Sequence, residues 1–79
     1  MNVRVKLFGL LPRRFPGYDP EKGMEVELPP EARVKDLLAQ LDISKEEGGI
    51  VAVEGLVQKA EAELRDGSVL HVFHPIVGG

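Results

Sequence analysis

The sequence predicts an α+β fold in which a mixed β-sheet packs on one main helix. Several segments alternate apolar and polar residues as strands do, one segment has helical spacing, and the predicted order is β-β-α-β-(β)-β. One helix covers only one face of a sheet, so we expect a two-layer structure with an open face. At 79 residues we predict a single domain, 1–79, that ends in a flexible Gly78 and Gly79 tail.

The first two predicted strands are VRVKLF and MEVEL. Both alternate with period 2, which is typical of half-buried strands. We expect them to pair in antiparallel fashion, so that the basic side chains of the first lie on the same face as the acidic side chains of the second. The face predicted to be buried holds Val3, Val5, Leu7, Met24, Val26 and Leu28, and the opposite face holds Arg4, Lys6, Phe8, Glu25 and Glu27.

Residues 9–23 contain three glycines and three prolines and predict a long loop. Arg13 and Arg14 lie in this loop. They could hold an acidic partner, or they could simply be solvated. The loop could also fold over Phe8 and cover it.

The segment EARVKDLLAQL predicts the main helix, because its apolar residues Val34, Leu37, Leu38 and Leu41 follow the i, i+3, i+4, i+7 spacing. No Ser, Thr, Asp or Asn stands at the N-cap, although Glu31 would suit the positive end of the helix dipole. The following SKEEGG has a capping-box pattern from Ser44 to Glu47 and predicts one extra turn.

Three segments complete the sheet. The apolar IVAVEG predicts a strand covered on both faces, and LVQKAEAELRDGS a short strand or irregular stretch that leads to a turn at Asp66 and Gly67. VLHVFH predicts the last strand, with an edge-strand pattern that Pro75 terminates. The first and last strands are too far apart in sequence to form a hairpin; if they lie adjacent and parallel, the helix crossover links the two halves of the sheet.

Composition excludes several classes of function. The absence of cysteine excludes disulfides and thiolate metal sites. A net charge of −3 without a basic stripe argues against nucleic-acid binding. We find neither a membrane-length apolar run nor a signal peptide, and we expect a cytoplasmic protein that acts without a membrane. His71 and His74 would point to opposite sides of a strand, so no metal site is predicted.

No paired carboxylates, nucleophile with a base, or phosphate-binding loop stands out. Phe8 and Phe73 fall on the predicted open face, where they form either a partner-binding patch or a surface covered by the loop. The ending HPIVGG is a second candidate. Glycines lack a Cβ and can thread a narrow channel, and the α-carboxylate of Gly79 becomes reactive once it is activated as an acyl-adenylate. Ordinary fraying is the alternative.

These features resemble the ubiquitin-like (β-grasp) sulfur carriers, which include MoaD of molybdopterin synthase and ThiS of thiamine biosynthesis. The resemblance covers essentially the whole chain, through VRVKLFG, VELPPEARVKDLLAQL and IVAVEG. The ending LRDGSVLHVFHPIVGG is similar to the family's closing motif and favours the MoaD branch.

The resemblance implies a carrier that is not itself an enzyme and binds no cofactor. An E1-like adenylyltransferase would use ATP to adenylate Gly79, and a sulfur donor would convert it to a thiocarboxylate. The tail would then enter a larger, MoaE-like synthase subunit and donate sulfur for molybdopterin. The implied tail residues are Pro75, Ile76, Val77 and Gly78, and the implied partner-binding residues are Phe8, Leu56 and Phe73.

Three alternatives stay open: a sulfur carrier for thiamine or another metabolite, a ubiquitin-like modifier that forms isopeptides through Gly79, and an interaction domain with an inert tail. The chain also departs from the family pattern. His74 replaces the first of two prolines, residues 9–23 form a longer loop, Arg33 stands at a common Thr position, and Glu54 at a common Asn position.

Overall fold

The first two strands follow directly from the alternation of their residues. The computed structural model describes residues 1–43 and 50–73. Strand β1, Asn2–Leu7, buries every second side chain against the core, and β2, Met24–Glu27, pairs with it in antiparallel fashion. Arg4 lies opposite Glu25, and their side chains form a salt bridge of 3.8 Å. Both side chains are exposed, so the pair contributes at most about 1 kcal/mol.

The connection between β1 and β2 has structure of its own, which corrects the prediction of a plain loop. It contains a 3-10 helix, Leu11–Arg14, whose Leu11 side chain is buried in the core. The Tyr18 hydroxyl accepts a hydrogen bond of 2.7 Å from the Leu7 N–H. The Arg14 guanidinium donates one of 2.9 Å to the Asp42 carbonyl. A single buried leucine has no periodicity, so the sequence pattern could not reveal it.

Helix α1, Val34–Gln40, lies where its apolar spacing predicts. Its first backbone N–H groups find partners outside the helix: those of Val34 and Lys35 donate to the carbonyls of Ala62 and Ala60, at 3.0 and 2.9 Å. These contacts replace much of what an N-cap side chain would supply. The four predicted helix residues Val34, Leu37, Leu38 and Leu41 are all buried.

The acidic residue at the start of α1 is Asp36 rather than Glu31. The Asp36 carboxylate accepts a hydrogen bond of 2.8 Å from the Arg33 backbone N–H, which is half of a capping box. Glu31 instead lies before the helix, with a positive φ of 71°. The turn predicted from Ser44 to Glu47 lies outside the described residues.

Strands β3, Ile50–Val53, and β4, Leu56–Gln58, form a tight hairpin. The two residues between them, Glu54 and Gly55, have φ values of 52° and 80°. Positive φ at both positions is the signature of a type I′ turn. The segment after β4 is irregular and reaches the predicted turn, where Gly67 has a φ of 81°.

Strand β5, Val69–Phe73, lies at the centre of the five-stranded sheet, whose order is β2-β1-β5-β3-β4. β5 runs parallel to β1, an arrangement that the order of the elements allows but does not predict. The prediction of an edge strand is wrong, because β5 also pairs with β3 on its other side. Pro75, which the sequence predicts to terminate this strand, lies outside the described residues.

The core lies between α1 and one face of this sheet. Its fully buried side chains come from every layer: Val3, Val5, Leu11, Val34, Leu37, Val51, Leu70 and Val72. In β3, Val51 is buried in the core. Ala52, a small residue on the opposite face, is also buried, but Ile50 on that same face is exposed, so the prediction of a strand covered on both faces holds only in part. No helix in residues 1–43 or 50–73 has the length and apolarity needed to cross a membrane.

Candidate functional site

The face of the sheet turned away from α1, which we call the open face, carries the candidate site. Residues that pair across neighbouring strands share a face, so the register defines its rows. One row runs through Lys6, His71, Ala52 and Val57. The next row begins with Phe8, just beyond β1, and continues through Phe73 and Ile50.

Phe8 and Phe73, which we call the aromatic pair, stack face to face. Their ring centroids are 4.9 Å apart and the ring planes differ by 13°. The Phe8 N–H donates a hydrogen bond of 3.0 Å to the Val72 carbonyl, which extends the β1 and β5 ladder by one residue and sets the two rings side by side. Aromatic stacking of this kind contributes about 0.5–1.5 kcal/mol beyond the area it buries.

The aromatic pair is open to solvent. The exposed fractions are 40% for Phe8 and 37% for Phe73. The connection of residues 9–23 therefore does not cover the rings. Its own apolar contacts go to the core through Leu11, Phe15 and Tyr18. Of the two alternatives from the sequence, the structure favours an open surface, and the partner-binding role stays a prediction.

Leu56 does not join the aromatic pair. It lies directly opposite Val53, whose side chain packs on the core, so Leu56 belongs to the helix side of the sheet. Val57 lies opposite Ala52 and therefore on the open face. Both are among the most exposed apolar residues, at 68% for Leu56 and 72% for Val57. If Glu54 and Gly55 are taken as a two-residue hairpin turn, the sequence alone places Leu56 opposite Val53 and Val57 opposite Ala52.

Lys6 and His71 lie beside the aromatic pair. The His71 ring meets Phe8 edge-on at 5.5 Å and Phe73 edge-on at 6.4 Å. Lys6 is the register partner of His71 on β1. The sequence shows both residues, but only the parallel register brings them together.

The remaining predicted site residues lie outside the described residues. They are the tail positions Pro75, Ile76, Val77, Gly78 and Gly79, together with His74. Because β1 and β5 are parallel, their C-terminal ends lie at the same end of the sheet, next to the aromatic pair. In the sequence, His74 and then the tail positions follow Phe73. Within residues 1–43 and 50–73 no group of three acidic or histidine side chains is arranged to hold a metal ion.

Comparison with known proteins adds to this geometry. A solved structure from Pyrococcus furiosus, provisionally described as molybdopterin converting factor, subunit 1, has a TM-score of 0.73 and 32% sequence identity, covering 96% of this chain and 99% of that one. Two solved structures from Haloferax volcanii also match. The one described as SAMP1 has a TM-score of 0.70 and covers 100% of both chains. The one described as small archaeal modifier protein 1 has a TM-score of 0.73 and covers 95% of this chain and 98% of that one. Both are 18% identical, which shows the fold alone.

These structures confirm the predicted β-grasp fold. A search of curated proteins found no significant match. The model of the ThiS family matches residues 5–79, which include the described open face and the Gly78 and Gly79 tail. This chain therefore belongs to the ThiS family.

Proposed function

We propose that the protein is a sulfur carrier for molybdopterin synthesis, for the molybdenum or tungsten cofactor, and that its working group is the Gly79 α-carboxylate. A carboxylate oxygen attacks the α-phosphorus of ATP and releases pyrophosphate, which gives an acyl-adenylate. Hydrosulfide from the sulfur donor then attacks the carbonyl carbon and displaces AMP, which gives a thiocarboxylate. The thiocarboxylate sulfur bonds to a carbon of the acceptor pterin and displaces an oxygen leaving group from it, and water hydrolyses the resulting thioester to regenerate the Gly79 carboxylate.

The observation that carries this proposal is the family match, which extends from Val5 through Gly79. The pathway rests on the Pyrococcus furiosus relative, which is provisionally described as a molybdopterin converting factor subunit. It also rests on the closing motif, which resembles the MoaD branch.

The geometry of the open face is compatible with two separate roles. The aromatic pair would bind the partner protein, and the segment from Pro75 onward would carry the reacting carboxylate into the partner's active site. Residues 74–79 can span at most about 22 Å when extended, which suffices to reach a recessed active site. Gly78 and Gly79 present no Cβ, so a channel too narrow for other residues would admit them.

The proposal implies two protein partners in the cytoplasm. An E1-like adenylyltransferase binds ATP and activates the carrier, and a larger, MoaE-like synthase subunit receives the thiocarboxylate. The carrier itself is a substrate in the first reaction and a sulfur-donating subunit in the second. It needs no bound cofactor for either.

Intact-mass spectrometry tests the proposal. The full-length protein is incubated with its cognate adenylyltransferase, ATP and a sulfur donor. We expect a mass increase equal to the exchange of one oxygen for sulfur. Deletion of Gly79 or the substitution Gly78→Val should abolish this increase and leave the thermal unfolding temperature unchanged. A wild-type protein that gains no sulfur would contradict the proposal, as would sulfur gained by the Gly79 deletion.

The same assay separates the alternatives. Sulfur transfer to a thiazole synthase, but not to a MoaE-like subunit, would indicate a thiamine carrier, which the ThiS family match also accommodates. Conjugates with lysine side chains in a lysate would indicate a protein modifier. The modifier alternative is supported by the β-grasp fold, which this chain shares with small archaeal modifier protein 1.

A further inference from the structure

We infer that Lys6 and His71 form a carboxylate-binding pair within the docking surface, so that the partner presents an Asp or Glu side chain beside the apolar residues that contact the aromatic pair. This inference rests on the proposed function and names the chemistry of the adenylyltransferase surface that the carrier recognises.

The first support is position. Lys6 on β1 and His71 on β5 are direct register partners on the open face. The His71 ring lies 5.5 Å from the Phe8 ring and 6.4 Å from the Phe73 ring, edge-on to both. Any protein surface that covers the aromatic pair therefore also covers this polar pair. A typical interface buries about 800 Å² on each partner, far more than two rings.

The second support is the charge around the pair. Arg4, also on β1, is held by the Glu25 carboxylate of β2 and donates a hydrogen bond of 2.8 Å to the Lys22 carbonyl. Lys6 takes part in none of the salt bridges among residues 1–43 and 50–73. On the other side, β3 and β4 contribute only Ala52 and Val57 to this row. The Glu25 carboxylate, diagonal to Lys6 across β1 and β2, is thus engaged by Arg4, and Lys6 remains available to an anion from a partner.

The third support is the cost of covering such a group. An ammonium that loses water without gaining an anion is strongly disfavoured. A carboxylate offers two acceptor oxygens, one for the Lys6 ammonium and one for an N–H of His71. An extended polyanion such as RNA is disfavoured by the net charge of −3. A single carboxylate on an otherwise apolar protein surface fits best.

Charge reversal with a matched control tests the inference. The affinity of the full-length carrier for the cognate adenylyltransferase is measured by titration calorimetry at several salt concentrations. Lys6→Glu should weaken binding at least about tenfold, because it opposes the partner's carboxylate. Lys35→Glu makes the same change on α1, on the other side of the sheet. It should alter affinity by no more than about twofold, because salt screens distant charges.

Two further variants separate charge from folding. Lys6→Gln keeps most of the side-chain length and should show both a weaker affinity and a flatter salt dependence than the wild type. His71→Leu removes the ring N–H and should also weaken binding, because the partner's carboxylate would lose one of its two hydrogen-bond donors.

Equal affinities of Lys6→Glu and Lys35→Glu would overturn the inference. Thiocarboxylate formation by the wild type at saturating adenylyltransferase is measured in parallel. Its absence would count against the proposed function. Its presence together with those equal affinities would count against the carboxylate-binding pair alone.

Discussion

Ala52 and Val57 face each other across the β3 and β4 hairpin, one position beyond the pair of Val53 and Leu56 that flanks the turn. Neighbouring residues in a strand point to opposite faces, so Leu56 and Val57 serve different sides of the sheet. The open face therefore continues from the aromatic pair through Ile50 and Ala52 to Val57.

Val57→Asp should weaken binding of the cognate adenylyltransferase, because it places a carboxylate on the apolar part of the open face. We expect a loss of affinity of about tenfold or more. Leu56→Asp is the matched control, with similar exposure on the opposite side, and should change the affinity much less. Titration calorimetry measures both. A larger effect at Leu56 would support the expectation drawn from the family resemblance.

Leu11→Ala should destabilise the protein by about 2–5 kcal/mol, because it leaves a cavity where a fully buried side chain anchors the 3-10 helix. Leu10→Ala removes the same atoms from a residue that is 57% exposed, and should change stability by less than about 0.5 kcal/mol. Urea denaturation gives both free energies of unfolding. Similar values for the two variants would mean that the connection does not pack as described.

Gly23→Ala should be clearly more destabilising than Gly17→Ala. Both glycines have positive φ, 72° and 83°, so an added Cβ costs about 1–2 kcal/mol at either position. At Gly23 the new Cβ would also stand 2.5 Å from the Val5 carbonyl oxygen, whereas at Gly17 nothing lies within 4 Å. We expect about 1–3 kcal/mol of additional loss at Gly23, read from thermal unfolding. Equal losses would show that Gly23 has room for a side chain.

Glu54→Asn should stabilise the protein by about 0.5–1 kcal/mol, because Asn tolerates the left-handed conformation better than Glu does. Glu54 has a φ of 52° at the first position of the type I′ turn. Glu54→Gln removes the same charge without that conformational advantage and serves as the control. Urea denaturation of the two variants measures the difference. A gain in the Gln variant as large as in the Asn variant would assign the effect to charge.

The layers of the fold and the membership of its faces could be predicted from the sequence. The alternation in β1, β2 and β5 and the helical spacing of α1 depend only on whether each residue is buried or exposed. The buried positions in the structure match these patterns closely. The order of the elements allowed the parallel pairing of β1 with β5 without requiring it. The placement of Phe8 and Phe73 on the open face is predicted by the same alternation.

Features that depend on several segments at once could not be read in this way. β5 is central because β3 pairs with the side of β5 that β1 leaves free, and Pro75 in the sequence gives no information about that pairing. The burial of Leu11 depends on where one turn of the connection docks. The face of Leu56 depends on the number of residues in a turn, and Lys6 meets His71 only through the parallel register.

The central position of β5 also bears on how the protein is made. Of the strands in residues 1–43 and 50–73, β5 is translated last, yet it is the one that joins the β1 and β2 pair to the β3 and β4 hairpin. Until residues 69–73 have emerged, the two pairs have no strand between them, and β1 and β3 each expose an unpaired edge. Closing the sheet requires contacts between the two ends of the chain, which form slowly. The sheet is therefore completed only after residues 69–73 have been translated, and that step brings Phe8 and Phe73 into contact.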